Sequence, residues 1–283
     1  MKRRFYTLIQ YILPHRLLSR IVNKIMRVQW QPFKNFIIKR IAKSYQVNMQ
    51  EAISSNPDDY KHFNAFFTRK LKAGVRPIDT DEKSIVSPVD GAISQCGAIK
   101  EGRIFQAKGF DFSVKELLAC SDDMASNFQQ GQFATLYLSP KDYHRMHAPM
   151  DCHVTKTVHV PGRLFSVAKW TAESIPRLFA RNERLVCYMD TPFGQIAYIL
   201  VGAIMVSSME TVFNGLVTPP YGNNVQEVTL NKHTHLKKGD EVGRFNMGST
   251  VILLFPPNFA QLNEDLQENK ILKVGEKIAT LLQ

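Results

Sequence analysis

Two hydrophobic periods succeed one another along this chain. Over residues 15–30, Arg16, Arg20 and Lys24 recur at every fourth position beside the apolar pairs Leu17/Leu18, Ile21/Val22 and Ile25/Met26, which predicts an amphipathic helix. A second helical stretch covers 33–45, with Phe36, Ile37 and Ile41 set among Lys34, Lys39, Arg40 and Lys43. Ser55-Asn56-Pro57-Asp58-Asp59 then reads as a helix start, with a cap residue, an early proline and first-turn acids to meet the dipole. Phe63, Phe66, Phe67 and Leu71 fall on one face of that helix as core residues, and Ala73-Gly74 closes it. Beyond it the spacing shortens to apolar runs broken by Gly, Pro and Asp, at 91–99, 133–138, 152–160, 185–189, 196–205 and 250–255. Runs of this length predict strands, with one short helix at 114–120. The expected fold is α+β: a mainly antiparallel β domain preceded by N-terminal amphipathic helices. No repeat, low-complexity tract or linker interrupts the chain after about residue 55, so the expected division is 1–54 and 55–283.

Charge changes the picture of the first segment. The net charge is +11, yet residues 1–50 hold 11 Lys and Arg with no acid, whereas 51–283 hold 25 residues of each sign. All the excess lies at one end of the chain, the end that carries the amphipathic stretches. That placement suits helices lying in an anionic headgroup layer, where each cation contributes about 1 kcal/mol, better than it suits nucleic acid. Packing of the same helices on the protein core is the other reading. No run of 18 apolar residues spans a bilayer. The start, Met1-Lys2-Arg3-Arg4, is not read as a secretory signal, because Thr7 and Gln10 interrupt the apolar part and no small-residue cleavage site follows. Cys96, Cys120, Cys152 and Cys187 lie far apart without a Cys-x-x-Cys pair, and read as thiols of a reducing compartment.

The candidate chemistry gathers around Met247-Gly248-Ser249-Thr250, directly before the apolar run 251–255. Taken alone this is a turn entering a buried strand. A serine becomes a nucleophile when a base takes its proton, and a carboxylate behind a histidine fixes the tautomer. His147, in a loop closed by Pro149, and Asp90, on the Pro88-Val89-Asp90-Gly91 turn, are the residues that could do so, with His144 a second imidazole. In isolation Asp90 is equally a turn aspartate and His147 a structural histidine. A metal-dependent hydrolase using His144, His147 and His153 or His159 is a rival, weakened by the flanking Pro140 and Pro149 and by the missing His-Glu-x-x-His pattern. A serine hydrolase lacks its Gly-x-Ser-x-Gly elbow. A non-enzymatic peripheral lipid-binding protein explains the basic helices and leaves the other residues without a purpose.

With these motifs in view the chain resembles the phosphatidylserine decarboxylases. The resemblance runs through 63–71, Arg76-Pro77-Ile78, 138–145, 178–184 and Val201-Gly202-Ala203, and it differs at Met247, where the family usually has Leu. It implies that Asp90, His147 and Ser249 form a self-cleavage triad. Cleavage between Gly248 and Ser249 would leave a large chain 1–248 and a small chain 249–283 carrying a pyruvoyl group made from Ser249. That cofactor would form a Schiff base with phosphatidylserine and release CO2 and phosphatidylethanolamine, with His144 assisting decarboxylation or reprotonation. The resemblance further implies a homodimer held peripherally on the cytoplasmic side of the cell membrane.

Overall fold

The computed structural model describes residues 2–204, 208–230, 234–246 and 249–282, with side chains from residue 6 on. Met247 and Gly248, including one side of the expected cleavage site, lie outside the described residues. Three helices open the chain: α1 (Lys2–Ile12), α2 (His15–Ile25) and α3 (Gln31–Ser44). A short α4 (Phe63–Phe67) leads into the strands.

The centre of the β domain is a nine-stranded sheet whose paired strands are all antiparallel. Ser249–Phe255 lies in its middle, between Gly194–Val201 on one side and Gln132–Leu138 on the other. Its residues are buried on both faces. Val251, Leu253 and Phe255 enter one core, while Ile252 and Leu254 enter the other. Two-sided burial accounts for the unbroken apolar run, since alternation marks only a strand with one wet face. A four-stranded sheet, including Arg145–His147 and Glu241–Phe245, packs beside it and carries the histidines.

Strands form at the expected runs, as Gly91–Ala98, Gln132–Leu138, Cys152–Val160, Arg184–Thr191, Gly194–Val201 and Ser249–Phe255, as does the short helix Val114–Leu118; the run expected over 196–205 ends as a strand at Val201, and Met205 lies outside the described residues. The helix expected from 55 to 71 does not run through. Asn56 caps a single 3-10 turn, Pro57–Asp59, and the backbone is extended at Tyr60 and His62 before His62 caps α4. Phe63, Phe66 and Phe67 are buried as expected, in a cluster with Ile38 of α3. His147 ends a short strand instead of lying in a loop.

Part of the basic segment does pack on the protein, through Ile38 and through Lys34, whose Nζ donates to the Pro57 carbonyl at 2.9 Å. The buried face of α2 is His15 and Ser19. Its apolar stripe points outward: Leu17, Ile21 and Ile25 are exposed, as are Leu8 and Ile12 of α1 and Trp30 and Phe36 further on. No described helix is long and apolar enough to cross a membrane. The four cysteines are free thiols, Cys152 and Cys187 buried, and burial raises the Cys152 thiol to about 12.

Candidate active site

Ser249 is the first residue of the central strand, paired with Leu138 and fully buried. Among the described residues its Oγ has no hydrogen-bond partner, and neither has that of Thr250. A buried hydroxyl left without a partner costs about 1–3 kcal/mol, so such an atom calls for an explanation. The residues leading to it are pinned. Phe245 N–H donates to the His144 carbonyl at 3.1 Å. Asn246 donates from Nδ2 to Ser208 Oγ at 2.8 Å and accepts from Asn64 Nδ2 at 2.9 Å. The segment entering Ser249 is thus tied to the His144 backbone.

His144 is completely buried under Phe67, with ring centroids 4.0 Å apart. Its Nδ1–H donates to the Asp142 carbonyl at 2.8 Å, which leaves the lone pair on Nε2, an atom without a partner. Burial pushes its pKa down to about 3, so the ring is neutral at physiological pH. The linkage sign follows directly: the unfolded chain takes a proton here near pH 6.5 and the folded one does not. His144 therefore stabilises the fold fully above pH 6.5, and that contribution shrinks by up to about 1.4 kcal/mol per pH unit as pH falls toward 3. Urea unfolding of the unprocessed chain is expected to show a falling midpoint from pH 6.5 to 4, and a His144→Phe variant a shallower fall.

His147 is held from three sides. Its N–H donates to the Pro88 carbonyl at 2.8 Å, beside the Asp90 turn. Nδ1–H donates to the Gly239 carbonyl at 2.7 Å, and Nε2 accepts from the Tyr143 hydroxyl at 3.2 Å. The Gly239 carbonyl is in place because Gly239 N–H binds the Ala148 carbonyl and Ala148 N–H binds that of Asp240. Gly239 has φ +88°, and a Cβ there would come within 2.8 Å of Ile78. Burial lowers the His147 pKa and raises that of Tyr143 to about 12, so a neutral imidazole faces a neutral phenol.

Asp90 is not hydrogen-bonded to His147. Its carboxylate receives Arg76 Nε at 2.9 Å and Nη2 at 2.6 Å, the Val274 N–H at 2.9 Å, and Lys273 Nζ at 3.5 Å. Arg76 Nη2 also reaches Glu51 at 2.6 Å. Burial alone would pull the Arg76 pKa down, and its bonds to Asp90 and Glu51 override that and hold it up. The Gly239 carbonyl thus takes the tautomer-fixing place that a carboxylate was expected to fill. The following Gly91 permits close pairing, since a Cβ there would lie 2.5 Å from the Tyr137 carbonyl oxygen.

Arg76, Gly239 and the Tyr143 hydroxyl are the participants that residue-by-residue reading missed. Only Arg76-Pro77 carried any signal, as a basic residue in a motif. His147 ends the strand Arg145–His147 and His144 directly precedes it, so no helix brings the two rings to one face. Each ring is engaged separately, and His159 pairs with Glu183 at 3.2 Å. The common metal face that a helix would have given these histidines is missing.

Two cavities adjoin the site. One, of 360 Å³, is lined by Phe67, Tyr137, Leu138 and Ser166 together with Met26 and Ile41 of the helical segment. It touches the ring over His144 and the two residues paired with Ser249 and Thr250. The other, of 190 Å³, is polar and reaches Asp90, Arg76, Arg69 and Tyr143.

Fold and site define a two-sided β domain with a buried serine, unpartnered among the described residues, at the head of its central strand, and two neutral imidazoles, one of which, His144, has its backbone tied to Phe245. A family model described as phosphatidylserine decarboxylase matches residues 63–280, and another, described as PSD, matches residues 5–46. The phosphatidylserine decarboxylase proenzyme of Pseudomonas putida strain F1 is 50% identical over 100% of both chains. Those of Azotobacter vinelandii strain DJ and Ectopseudomonas mendocina strain ymp are 49% and 50% identical, each over 98% of both chains. The chain belongs to the phosphatidylserine decarboxylase family.

Proposed function

We infer that this chain is a proenzyme that cuts itself at Ser249 and, once processed, decarboxylates phosphatidylserine to phosphatidylethanolamine. The observation that carries the reading is Ser249 Oγ, buried and unpartnered at the head of the central strand. A hydroxyl that is consumed during maturation has no need of a lasting partner. The residues present fit a pyruvoyl group at position 249, since an apolar cavity is lined by Leu138, the residue paired with Ser249, and by Phe67, which covers the His144 ring.

Maturation is assigned to Ser249, His147 and Asp90. His147 takes the Oγ proton at Nε2, and Oγ attacks the Gly248 carbonyl, exchanging the peptide bond for an ester. Elimination across Cα–Cβ of residue 249 releases the Gly248 carboxylate, and water then displaces ammonia. The products are chains 1–248 and 249–283. The Tyr143 O–H occupies His147 Nε2 at 3.2 Å, a long and weak bond that must break first. Asp90 holds Arg76 and the backbone of Val274, and its charge lies close enough to favour an imidazolium at His147. Because burial lowers the His147 pKa, self-cleavage is expected to keep its full rate below pH 6.5 and to slow only at lower pH, as followed by gel densitometry. Tyr143→Phe is expected to change the cleavage rate by less than about tenfold, since it removes a cover and not the base.

The pyruvoyl group supplies an electrophilic carbonyl for the substrate amine and an electron sink for the bond to CO2. His144 Nε2 takes the proton that the substrate ammonium gives up on adding to the carbonyl, and returns it to the carbon that has lost CO2. Its burial makes the protonated ring a strong acid, which favours that return. Phe67 and the apolar cavity keep water from the reacting carbon. Residues 1–54 serve as the membrane-facing segment and 55–283 as the catalytic domain, acting as a homodimer bound peripherally on the cytoplasmic side. The outward apolar stripe of α2 and the acid-free charge of residues 1–50 support that docking. Incubation with phosphatidylserine labelled at its carboxyl tests the activity: labelled CO2 and an equal amount of phosphatidylethanolamine are expected, and intact substrate would refute it.

A further inference from the structure

A further cavity lies away from Ser249, at the start of α2. It measures 530 Å³ and is lined by the first turn of α2 and by Gly162, Arg163 and Leu164. Arg16, Arg20 and Arg163 face it, and its lining includes no acid. The polar partners of these arginines are neutral. Arg16 donates to Asn223 Oδ1 and the Gly222 carbonyl, Arg163 to the Tyr11 carbonyl, and Arg20 lies over the Tyr221 ring. Among the described residues these three cations thus line one cavity with no carboxylate paired to any of them.

The helix end adds to their field. α2 has no side-chain cap and no acid in its first turn; its first N–H, that of His15, is taken by the Leu13 carbonyl at 2.9 Å, and the positive end of its dipole lies at the cavity without an acidic side chain on it. His15, at the first position of α2, also lines the cavity. It is 4% exposed, and neither ring nitrogen has a partner. Its ring stands edge-on to Phe165 at 5.4 Å. Burial and the nearby Arg163 lower its pKa to about 4, the direction expected of an imidazole facing cations with no anion present. The strand-end loop is rigid here: Arg163 N–H donates to the Arg181 carbonyl at 2.9 Å, and a Cβ on Gly162 would come within 2.5 Å of that segment's backbone.

We propose that this cavity binds a phosphate group, and that its occupant is the headgroup phosphate of a membrane phospholipid distinct from the substrate at Ser249. The lipid source is favoured by the surroundings: Leu17 lines the cavity and is 55% exposed, and Ile12 beside it is 73% exposed. A phosphate seated on Arg16, Arg20 and Arg163 leaves its acyl chains alongside these residues. The proposal extends the docking role of residues 1–54 and is independent of the decarboxylation chemistry.

The test uses full-length protein and two charge-matched double variants, Arg20→Gln/Arg163→Gln in the cavity and Lys39→Gln/Lys43→Gln on the exposed face of α3. Each is sedimented with vesicles of phosphatidylcholine and phosphatidylglycerol, and each is titrated with inorganic phosphate while His15 is followed by NMR. Binding to vesicles at least about tenfold weaker for the cavity variant than for the α3 variant supports the lipid-phosphate site. Equal vesicle binding by the two variants, with a saturable His15 shift in wild type that the cavity variant lacks, overturns the lipid source and assigns free phosphate. Equal vesicle binding with no phosphate-dependent shift overturns the site altogether. Should the double variant melt below wild type, Arg20→Gln alone serves, because its side chain is exposed and rests on the Tyr221 ring. Turnover of short-chain phosphatidylserine in detergent stays at the wild-type rate in the cavity variant, so failure of this site is distinguishable from failure of the decarboxylase reading.

Discussion

Ser249→Ala is expected to yield a single chain of 283 residues with no decarboxylase activity. The loss is complete because one atom, Oγ, performs both the attack that breaks the chain and the elimination that leaves the electrophile. The alanine methyl can neither attack a carbonyl nor leave by elimination, and none of the twenty side chains is itself such an electrophile. The variant should nevertheless fold. Ser249 Oγ is buried without a partner, so removing it deletes a desolvated polar atom and creates almost no cavity in a strand otherwise packed by Val251, Leu253 and Phe255. Its melting temperature should be no lower than that of other uncleaved variants. A Ser249→Ala chain that still splits, or still releases CO2, would remove the serine from its central place.

His144→Ala is expected to separate the two stages. Its Nε2 is the unpartnered nitrogen beside the cavity, while His147 holds the assigned base, so cleavage should go to completion and decarboxylation should fall by about 10²–10⁴-fold. Removing a ring packed at 4.0 Å on Phe67 also loosens the site, so rate loss alone would not establish proton transfer. The discriminating readout is the product in deuterated water. A chain relying on His144 to deliver the proton should show an altered stereochemical course or a lost solvent isotope effect in the variant. If His144→Ala instead failed to cleave while His147→Ala cleaved normally, the roles of the two histidines would be exchanged.

The strands were legible because two-sided burial turns each into an apolar run bounded by Gly, Pro or Asp, and that signal is local. Ser249–Phe255 shows it best. The region from 55 to 71 was not, because its helical spacing and its Asn56-Pro57 start are real, yet tertiary contacts interrupt it. The Tyr60 hydroxyl reaches back to the Ser54 carbonyl at 2.5 Å while its ring meets Phe66 edge-on, and the chain is extended between the two capped turns. Of the site, the titratable residues were legible from their chemistry and the resemblance, but their partners were not. The carbonyl of Gly239 carries no side-chain signature, and it reaches His147 only through a strand pairing 92 residues away in sequence. Likewise Asp90 meets Val274 across 184 residues, and nothing local announces that its guanidinium partner would be Arg76. The outward stripe on α2 shows a further limit of local reading: periodicity revealed an apolar face and left its direction to the fold.

The central claim is that the chain cuts itself between Gly248 and Ser249 and keeps a pyruvoyl group there. Intact mass of freshly purified protein under denaturing conditions, beside Ser249→Ala, measures this directly. The account predicts two species for the wild type, 1–248 and 249–283, the smaller lighter by one ammonia than a peptide starting with serine, and one uncut species for the variant. A wild type that remains a single chain, matching the variant apart from the one oxygen, would contradict it.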